Sequence, residues 1–198
     1  DNVRRAGLLL GTAFAPGAAL ARHAAQDPCV LLGKLELAKL RGRGGAGYPA
    51  AAKWRSCRNA AGSAHYVVCN ADEGEPGTFK DRVLLASHAD LVLEGMTLCA
   101  RVIGAREGFL YLRGEYLHLL APLERALEGR RAAGLLGRRI LGIDGFDFDI
   151  RIHLGAGAYI CGEESALIES LEGKRGIPRI RPPFPVQRGY LGRPTVVN

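Results

Sequence analysis

The sequence predicts an α/β domain, built on a mostly parallel sheet with helices on both faces. Three short runs, 65–69, 109–112 and 146–152, have the composition of strands, and the last alternates strictly between apolar and charged residues. Longer segments with helical spacing of apolar side chains lie between these runs. Strands that alternate with helices favour parallel pairing, because two parallel strands need a long crossover connection.

Helical patterns account for most of the remaining chain. They predict helices over 18–40, interrupted at Pro28, and over 50–55, 78–87, 90–103, 116–131 and 160–172. Four prolines between residues 178 and 185 predict a loop from 173 onward, because proline cannot continue a helix or a central strand. We therefore predict an N-terminal helical segment over 1–41 and a single α/β domain over 42–198.

Composition and cysteine spacing exclude several classes of protein. The chain has 198 residues, of which 47% are hydrophobic, which is enough for a core. The chain contains no run of eighteen apolar residues, so the sequence predicts no membrane span. The five cysteines are scattered singly without C-x-x-C spacing, so we expect no zinc or iron–sulfur site within this chain. The same pattern is typical of a reducing compartment, and we expect a cytoplasmic protein.

Positive charge is concentrated at the C-terminal end. Residues 173–198, here called the basic segment, contain six basic and no acidic residues, within a net charge of +7 for the chain. Such a segment could face a nucleotide's phosphates, a partner subunit or nucleic acid. Nucleic acid is the weakest of these, because no aromatic residues are interleaved for base stacking.

A glycine-rich stretch over residues 42–49, here called the glycine loop, is the first candidate for ligand binding. Gly42, Gly44 and Gly47 satisfy G-x-G-x-x-G, but the preceding segment looks helical and no acid follows until Asp72. It is therefore not the standard Rossmann dinucleotide turn. We interpret it as a loop leading into a helix that carries Lys53, which can reach a phosphate or an anionic flavin ring. A surface lysine is the alternative.

Two further turns bring polar groups to the ends of predicted strands. Four polar residues follow the first strand, at the sheet edge where ligands bind in open α/β folds: Asn70, Asp72, Glu73 and Glu75. A solvated acidic turn is the alternative interpretation.

The second turn, 155–159, opens a helix whose first turn holds Glu163 and Glu164. These acids can contact a ligand or simply cap the helix. Glycine-rich backbone can bind a phosphate, and carboxylates can bind hydroxyls and ring N–H groups. Together they predict a nucleotide or flavin site. No catalytic triad, metal motif or Walker loop accompanies them, so the chemistry is expected to belong to a bound cofactor.

These segments together resemble the flavin- and NADH-binding subunit of respiratory complex I, NAD-reducing hydrogenases and NAD-dependent formate dehydrogenases. The resemblance runs from about Gly42 to Asn198 and rests on the glycine loop and on 69–82, 155–165 and 170–175. The wording of 74–78, 162–170 and 174–179 is most similar to the diaphorase subunit of the hydrogenases. Tyr48 stands where phenylalanine is common, and Ser56 where some members have an aromatic residue.

The resemblance implies particular site residues. It implies that FMN is held by Gly42, Gly44, Lys53, Asn70, Asp72, Glu73, Tyr159, Gly162, Glu163, Glu164 and Asn198. It implies that NADH, stacked on the flavin, contacts Gly45, Ala46, Tyr48, Lys53, Glu75, Glu164 and Phe184.

The resemblance also implies the reaction and its partners. Hydride would pass between NAD(H) and FMN, and electrons would leave singly to iron–sulfur subunits serving a hydrogenase or formate dehydrogenase module. The family continues past Asn198 with a ubiquitin-like domain and a helical domain that ligates a 4Fe-4S cluster. We therefore expect this chain to be a fragment of such a subunit. A non-redox nucleotide- or nucleic-acid-binding module is the alternative of another class.

Overall fold

A parallel four-stranded sheet organises the domain. The computed structural model describes residues 14–198. Its strands are β1 (Tyr66–Ala71), β2 (Glu107–Leu112), β3 (Asp149–Leu154) and β4 (Thr195–Val197), in the spatial order β3-β2-β1-β4. All three pairings are parallel, so every strand ends at the same edge of the sheet. The α/β fold class is confirmed.

Seven α-helices and four short 3₁₀ turns are found among residues 14–198. They are α1 (Ala18–His23), α2 (Pro28–Leu37), α3 (Ala50–Asn59), α4 (Lys80–Ile103), α5 (Leu120–Ala132), α6 (Glu164–Leu171) and α7 (Pro185–Arg188). The break between α1 and α2 falls at Pro28, as the sequence predicts. Proline is well placed there because the first residue of a helix needs no N–H bond.

The two faces of the sheet are covered unequally. Alternating side chains of each strand point to opposite faces, so Val67 and Leu110 enter one core while their neighbours Val68 and Tyr111 enter another. The larger core is filled by residues of α1 to α5, including Leu20 of the first helix. The smaller core is closed by α6. The first helices thus pack on the same core as the sheet; residues 1–13 of the predicted N-terminal segment lie outside the described residues.

Helix α4 is long and apolar, and its location shows whether it belongs to the core. Within the described range it is the one helix long and apolar enough to cross a membrane by length and composition, a test that core helices also pass. It packs against β1, β2 and α5, and its residues Leu93, Cys99 and Val102 are buried in the larger core. This position is that of a core helix.

Several element boundaries differ from the sequence prediction. The helices predicted over 78–87 and 90–103 form one helix with a kink at His88. The helix predicted from 116 begins as a 3₁₀ turn and becomes α-helical at Leu120. The third strand begins at Asp149 rather than 146. The predicted C-terminal loop contains α7 and β4. Strand β4 forms because its three residues pair with β1, and a run of three residues is too short to show a strand pattern in the sequence.

Candidate functional site

A cavity of about 730 Å³ lies at the carboxyl-terminal edge of the sheet. Segments that follow β1, β3 and β4 converge there with the glycine loop and the first half of α4. Its volume is within the range of pockets that hold small molecules and cofactors, roughly 300–1,000 Å³. Because all four strands run parallel, segments far apart in sequence reach the same edge and build one site.

The glycine loop is an exposed hairpin-like turn at the cavity rim. It is closed by a hydrogen bond from the Gly42 N–H to the Tyr48 carbonyl at 2.9 Å and by one from the Arg41 guanidinium to the Gly47 carbonyl at 3.1 Å. Gly45 and Gly47 have φ of 110° and 61°, which other residues rarely adopt. The loop follows helix α2 rather than a strand, as the sequence predicts.

Lys53 lies between the glycine loop and the end of the sheet. Its ammonium donates to the Val197 carbonyl at 2.8 Å and to Oε2 of Glu164 at 3.3 Å. The other oxygen of Glu164 accepts from the Arg181 guanidinium at 3.3 Å. Glu164 is therefore held between two cations, and one of them belongs to the basic segment.

The turn after β1 places Asn70 and Asp72 in the cavity wall. The Asn70 side chain donates to the Gly162 carbonyl at 2.9 Å and accepts from the Asp72 N–H, so it joins two of the converging turns. Asp72 is buried, and its Oδ2 has no hydrogen-bond partner. Burial raises the pKa of its carboxyl to about 6; Arg113 opposes the shift and Glu115 adds to it.

Glu73 binds the start of helix α4 beside the cavity. Its carboxylate accepts from the N–H groups of Asp81 and Arg82 and from the Tyr116 hydroxyl, at 3.0, 3.3 and 2.9 Å. It therefore satisfies the free N–H groups at the start of α4. Its carbonyl accepts a hydrogen bond from Arg113. Glu73 thus fixes where α4 begins relative to the turn.

The turn after β3 combines a helix cap with an exposed aromatic residue. Glu163 caps α6 by accepting from the N–H groups of Ser165 and Ala166 at 3.0 and 2.9 Å. Its other oxygen lies 3.3 Å from the Arg181 guanidinium. Tyr159 is 62% exposed and donates a hydrogen bond to Glu75, which raises the pKa of the phenol.

Much of the basic segment is bound to α6. Arg179 pairs with Glu169 and with Glu172, the latter at 2.8 Å, and Lys174 pairs with Glu172 at 2.6 Å. Burial alone would raise the pKa of Glu172, but hydrogen bonds from Lys174 and Arg179 lower it below its usual value. With Arg181, three of the six cations of this segment are paired with acids near the start or end of α6.

The structure gathers most of the predicted site residues. Ten line the cavity: Gly44, Gly45, Asn70, Asp72, Glu73, Glu75, Tyr159, Gly162, Glu163 and Asn198. Gly42, Ala46 and Tyr48 lie in the same glycine loop. Lys53 donates to Val197 and Glu164, which are the sequence neighbours of the cavity-lining residues Asn198 and Glu163. Phe184 is half exposed just before α7, with the Arg181 guanidinium 5.9 Å above its ring.

Sequence reasoning missed the apolar wall and two arginines. Leu84, Leu85 and Val92 of α4 line the cavity, yet in the sequence they are indistinguishable from core positions. Arg113 and Arg181 hold the turns in place through contacts 40 and 17 residues away in sequence. No local pattern could have indicated these pairings, since they depend on the order of the strands.

Metal ligands do not cluster in this part of the chain. Among the described residues no group of three or more histidine, cysteine, aspartate or glutamate side chains could hold a metal ion. The five cysteines are free thiols, and burial raises the pKa of Cys57 and Cys69 to about 12.

Comparison with known proteins identifies the family. The profile of the family described as the Nuo51 FMN-binding domain matches residues 35–198. The chain belongs to this family. It is 61% identical over 178 residues to NAD-reducing hydrogenase HoxS subunit alpha of Cupriavidus necator, which covers 87% of this chain and 30% of that protein. It is 49% identical over 180 residues to an NADH-quinone oxidoreductase subunit of Aquifex aeolicus, which covers 91% of this chain and 42% of that protein.

Solved structures of the family share this fold. A chain of an NAD+-reducing NiFe hydrogenase in the H2-reduced state superposes with a TM-score of 0.86 at 53% identity, over 93% of this chain and 31% of that one. The same enzyme class in the air-oxidised state gives a TM-score of 0.83. The resemblance found in the sequence is confirmed. The chain spans between about a third and two fifths of the length of these relatives.

Proposed function

We propose that this chain binds FMN and NAD(H) in the cavity at the end of the sheet. It would form the hydride-transfer part of an NADH:acceptor oxidoreductase, a diaphorase. The convergence of the glycine loop, the 70–75 turn and the 159–163 turn on one cavity carries this proposal. Membership of an FMN-binding family and similarity to NADH-dependent relatives support it.

The residues present fit a flavin mononucleotide. The glycine loop offers exposed backbone N–H groups and Lys53 a cation for a phosphate or an anionic ring. Leu84, Leu85 and Val92 offer an apolar surface to a ring system. The unpartnered Oδ2 of Asp72 suits a ring N–H or a hydroxyl. Bound FMN would supply the redox chemistry, accepting a hydride and releasing electrons singly.

The chain's own residues would position the flavin and the nucleotide. Lys53 would hold negative charge at the cavity mouth, because the Val197 carbonyl and Glu164 fix its ammonium. Glu75, held by Tyr159, would accept a donor group of the nucleotide. Tyr48 in the glycine loop and Phe184 just before α7 are exposed aromatic rings, and they would stack on a nucleotide. We propose these roles together with the other FMN and NADH residues that the resemblance implies.

The enzyme to which this module belongs is also a proposal. The higher identity to the HoxS subunit favours a cytoplasmic NAD-reducing hydrogenase, with iron–sulfur subunits and a hydrogenase module as partners. The corresponding subunit of complex I or of a formate dehydrogenase is the alternative. Genes adjacent to this one would distinguish them, because hydrogenase and formate dehydrogenase catalytic subunits carry different metal-ligand motifs.

A nucleic-acid-binding module remains the alternative of another class. It would depend on free cations in the basic segment. Lys174, Arg179 and Arg181 are instead paired with carboxylates of the described chain, which leaves Arg175, Arg188 and Arg193 for such a role. Three scattered cations give a weak electrostatic footprint, so the structure disfavours this alternative.

An anaerobic absorbance titration tests the proposal. The chain is reconstituted with FMN and titrated with NADH. Bleaching of the flavin band at about one NADH per flavin is the expected result, because the site then holds both ligands in reactive geometry. Lys53→Ala and Glu75→Ala should weaken flavin or nucleotide binding, whereas Glu128→Ala, exposed on α5, serves as the control. A folded chain that binds no FMN overturns the proposal.

A further inference from the structure

Trp54 is the single tryptophan of the chain and lies in α3, next to Lys53. Its ring is buried in the larger core, which also contains Cys57 and Val67. A buried indole N–H needs an acceptor, because an unpaired buried donor is costly. That acceptor is the side chain of Asn198, which follows β4 directly and lines the cavity. A core residue of α3 therefore binds a residue of the candidate flavin site.

Hydrogen bonding fixes the orientation of the Asn198 amide. The indole of Trp54 can only donate, and the carbonyl of Val197 can only accept. The amide oxygen accepts from Nε1 of Trp54 at 2.7 Å, and the amide nitrogen donates to the Val197 carbonyl at 3.3 Å. The same carbonyl also accepts from the Lys53 ammonium at 2.8 Å. In the reversed orientation a donor would face the indole and an acceptor would face the carbonyl, so both contacts would be lost.

The backbone of Asn198 is held separately by β1. Its N–H donates to the Val68 carbonyl at 3.0 Å, and its carbonyl accepts from the Asn70 N–H at 2.6 Å. The terminal side-chain torsion of asparagine is left, and it allows both amide orientations with nearly the same shape. The bond to Val197 is the longer of the two amide contacts. The indole of Trp54 is therefore the main restraint on the amide orientation.

We propose that Trp54 is a positioning residue for the flavin, which holds the Asn198 amide so that its nitrogen donates to an acceptor atom of the bound ligand. The inference rests on the proposed function and adds a residue that does not itself line the cavity. An amide nitrogen carries two N–H donors, and the bond to Val197 uses one of them. The second is left for an acceptor in the cavity, such as a ring carbonyl oxygen or ring nitrogen of a flavin. A reversed amide would place its oxygen there and repel that acceptor.

Replacing the indole by a ring without a donor should weaken flavin binding. Trp54→Phe keeps an aromatic side chain in the core but releases the amide oxygen of Asn198. Because the amide can then rotate, the FMN affinity should fall about fivefold, which is the net contribution of one hydrogen bond. Asn198→Ala removes the amide and should lower the affinity at least as much. In the Asn198→Ala background, Trp54→Phe should change the affinity by less than about twofold, since Trp54 acts through Asn198.

The test measures FMN dissociation constants by fluorescence quenching for wild type, the two single variants and the double variant. Trp54→Phe also loses packing in the core, so a matched control is needed. Cys57→Ala removes a buried side chain one turn further along α3, from the same core, and Cys57 takes no part in the amide contacts. Its FMN affinity should stay within about twofold of wild type. Circular dichroism of each variant shows whether it is folded.

A second measurement follows the contact between Trp54 and Asn198 without any flavin. Because Trp54 is the single tryptophan, its indole N–H gives one resonance in a proton–nitrogen correlation spectrum of the chain. A hydrogen bond to an amide oxygen shifts that proton downfield and protects it from exchange with water. In Asn198→Ala the proton should move upfield and exchange faster, whereas in Cys57→Ala it should stay protected.

The outcomes separate this inference from the function on which it rests. A loss of FMN affinity in Trp54→Phe that disappears in the Asn198→Ala background, together with the upfield indole proton, supports the proposal. Equal FMN affinity in wild type and folded Trp54→Phe, or an equal loss with and without Asn198, overturns it and leaves the flavin site in place. An indole proton that is unchanged in Asn198→Ala overturns it even where Trp54→Phe does not fold. A folded wild-type chain that binds no FMN overturns the proposed function and the inference together.

Discussion

The hydroxyl of Tyr159 donates a hydrogen bond to Oε2 of Glu75, a residue 84 positions earlier in the sequence. This contact joins the turn after β3 to the turn after β1 across the mouth of the cavity. The Tyr159 ring lies directly against the backbone of Gly74, where an added Cβ would come within 3.2 Å of the ring. Both partners are exposed, so the pair is held by this hydrogen bond and by the flat contact with glycine.

Removing the Tyr159 hydroxyl should weaken nucleotide binding. A carboxylate can accept several hydrogen bonds, so Glu75 can keep Tyr159 and still accept from a ligand. In Tyr159→Phe the carboxylate loses its fixed orientation, and NADH affinity should fall about five- to tenfold, or about 1–1.4 kcal/mol, which is the net contribution of an ordinary hydrogen bond. NADH titration of the FMN-loaded chain measures the change. Tyr190→Phe, in the aromatic cluster with Tyr66 and Phe109, is the control; equal losses in the two variants would contradict the prediction.

Glu94 should be important for stability although it lies far from the cavity. Its carboxylate accepts from the N–H groups of Gly17 and Leu20, both at 2.8 Å, and it is 3.9 Å from the buried Arg130. Glu94→Ala leaves these groups without their partner and should lower the free energy of unfolding by about 3–5 kcal/mol. Urea denaturation measures the loss. Glu124→Ala, exposed on α5, should change stability little, and a loss below about 1 kcal/mol in Glu94→Ala would refute the role.

Arg179 should keep the basic segment folded against α6. Its guanidinium binds Glu169, Glu172 and the Gly189 carbonyl, and the Glu172 side chain is almost fully buried. In Arg179→Ala that acid keeps Lys174 and the Leu191 N–H but loses the guanidinium. Trypsin should then cleave within 174–193 about tenfold faster, because local opening costs less free energy. Mass spectrometry of the fragments measures this. Arg175→Ala removes a cation that makes no ion pair among the described residues, so its cleavage rate should stay near that of wild type.

The pH dependence of stability should reflect Asp72. Its pKa is about 6 in the folded chain against an ordinary value of 3.8, so the folded state favours the neutral form. Its favourable contribution is therefore complete below about pH 4 and is lost as the pH rises through 6. Asp72→Asn should be more stable than wild type by about 2–3 kcal/mol at pH 7, and this advantage should vanish near pH 4. Urea midpoints across this range measure it; an advantage independent of pH would disprove the linkage.

Local patterns predicted the parts of the site that depend on residue type. Glycine-rich backbone over 42–47, polar residues after a strand and acids at the start of a helix are all visible in the sequence. The sequence left two questions open: whether Glu163 caps its helix or contacts a ligand, and what the basic segment faces. The structure bears on both. Glu163 does cap its helix, and much of the basic segment is neutralised by α6. A pattern cannot distinguish a capping acid from a ligand-binding acid, since both need a carboxylate at the same position.

The sequence by itself determined the α/β class, the strands and helices with strong periodicity, and the residue types that a flavin site needs. Only the tertiary structure decided that β4 pairs with β1, that Leu84, Leu85 and Val92 form a cavity wall, and that Oδ2 of Asp72 has no hydrogen-bond partner among the described residues. The physical reason is the separation along the chain over which each effect acts. Periodicity and turn chemistry act between near neighbours in the chain, whereas strand order and the satisfaction of a buried carboxyl depend on groups that folding brings together from distant positions.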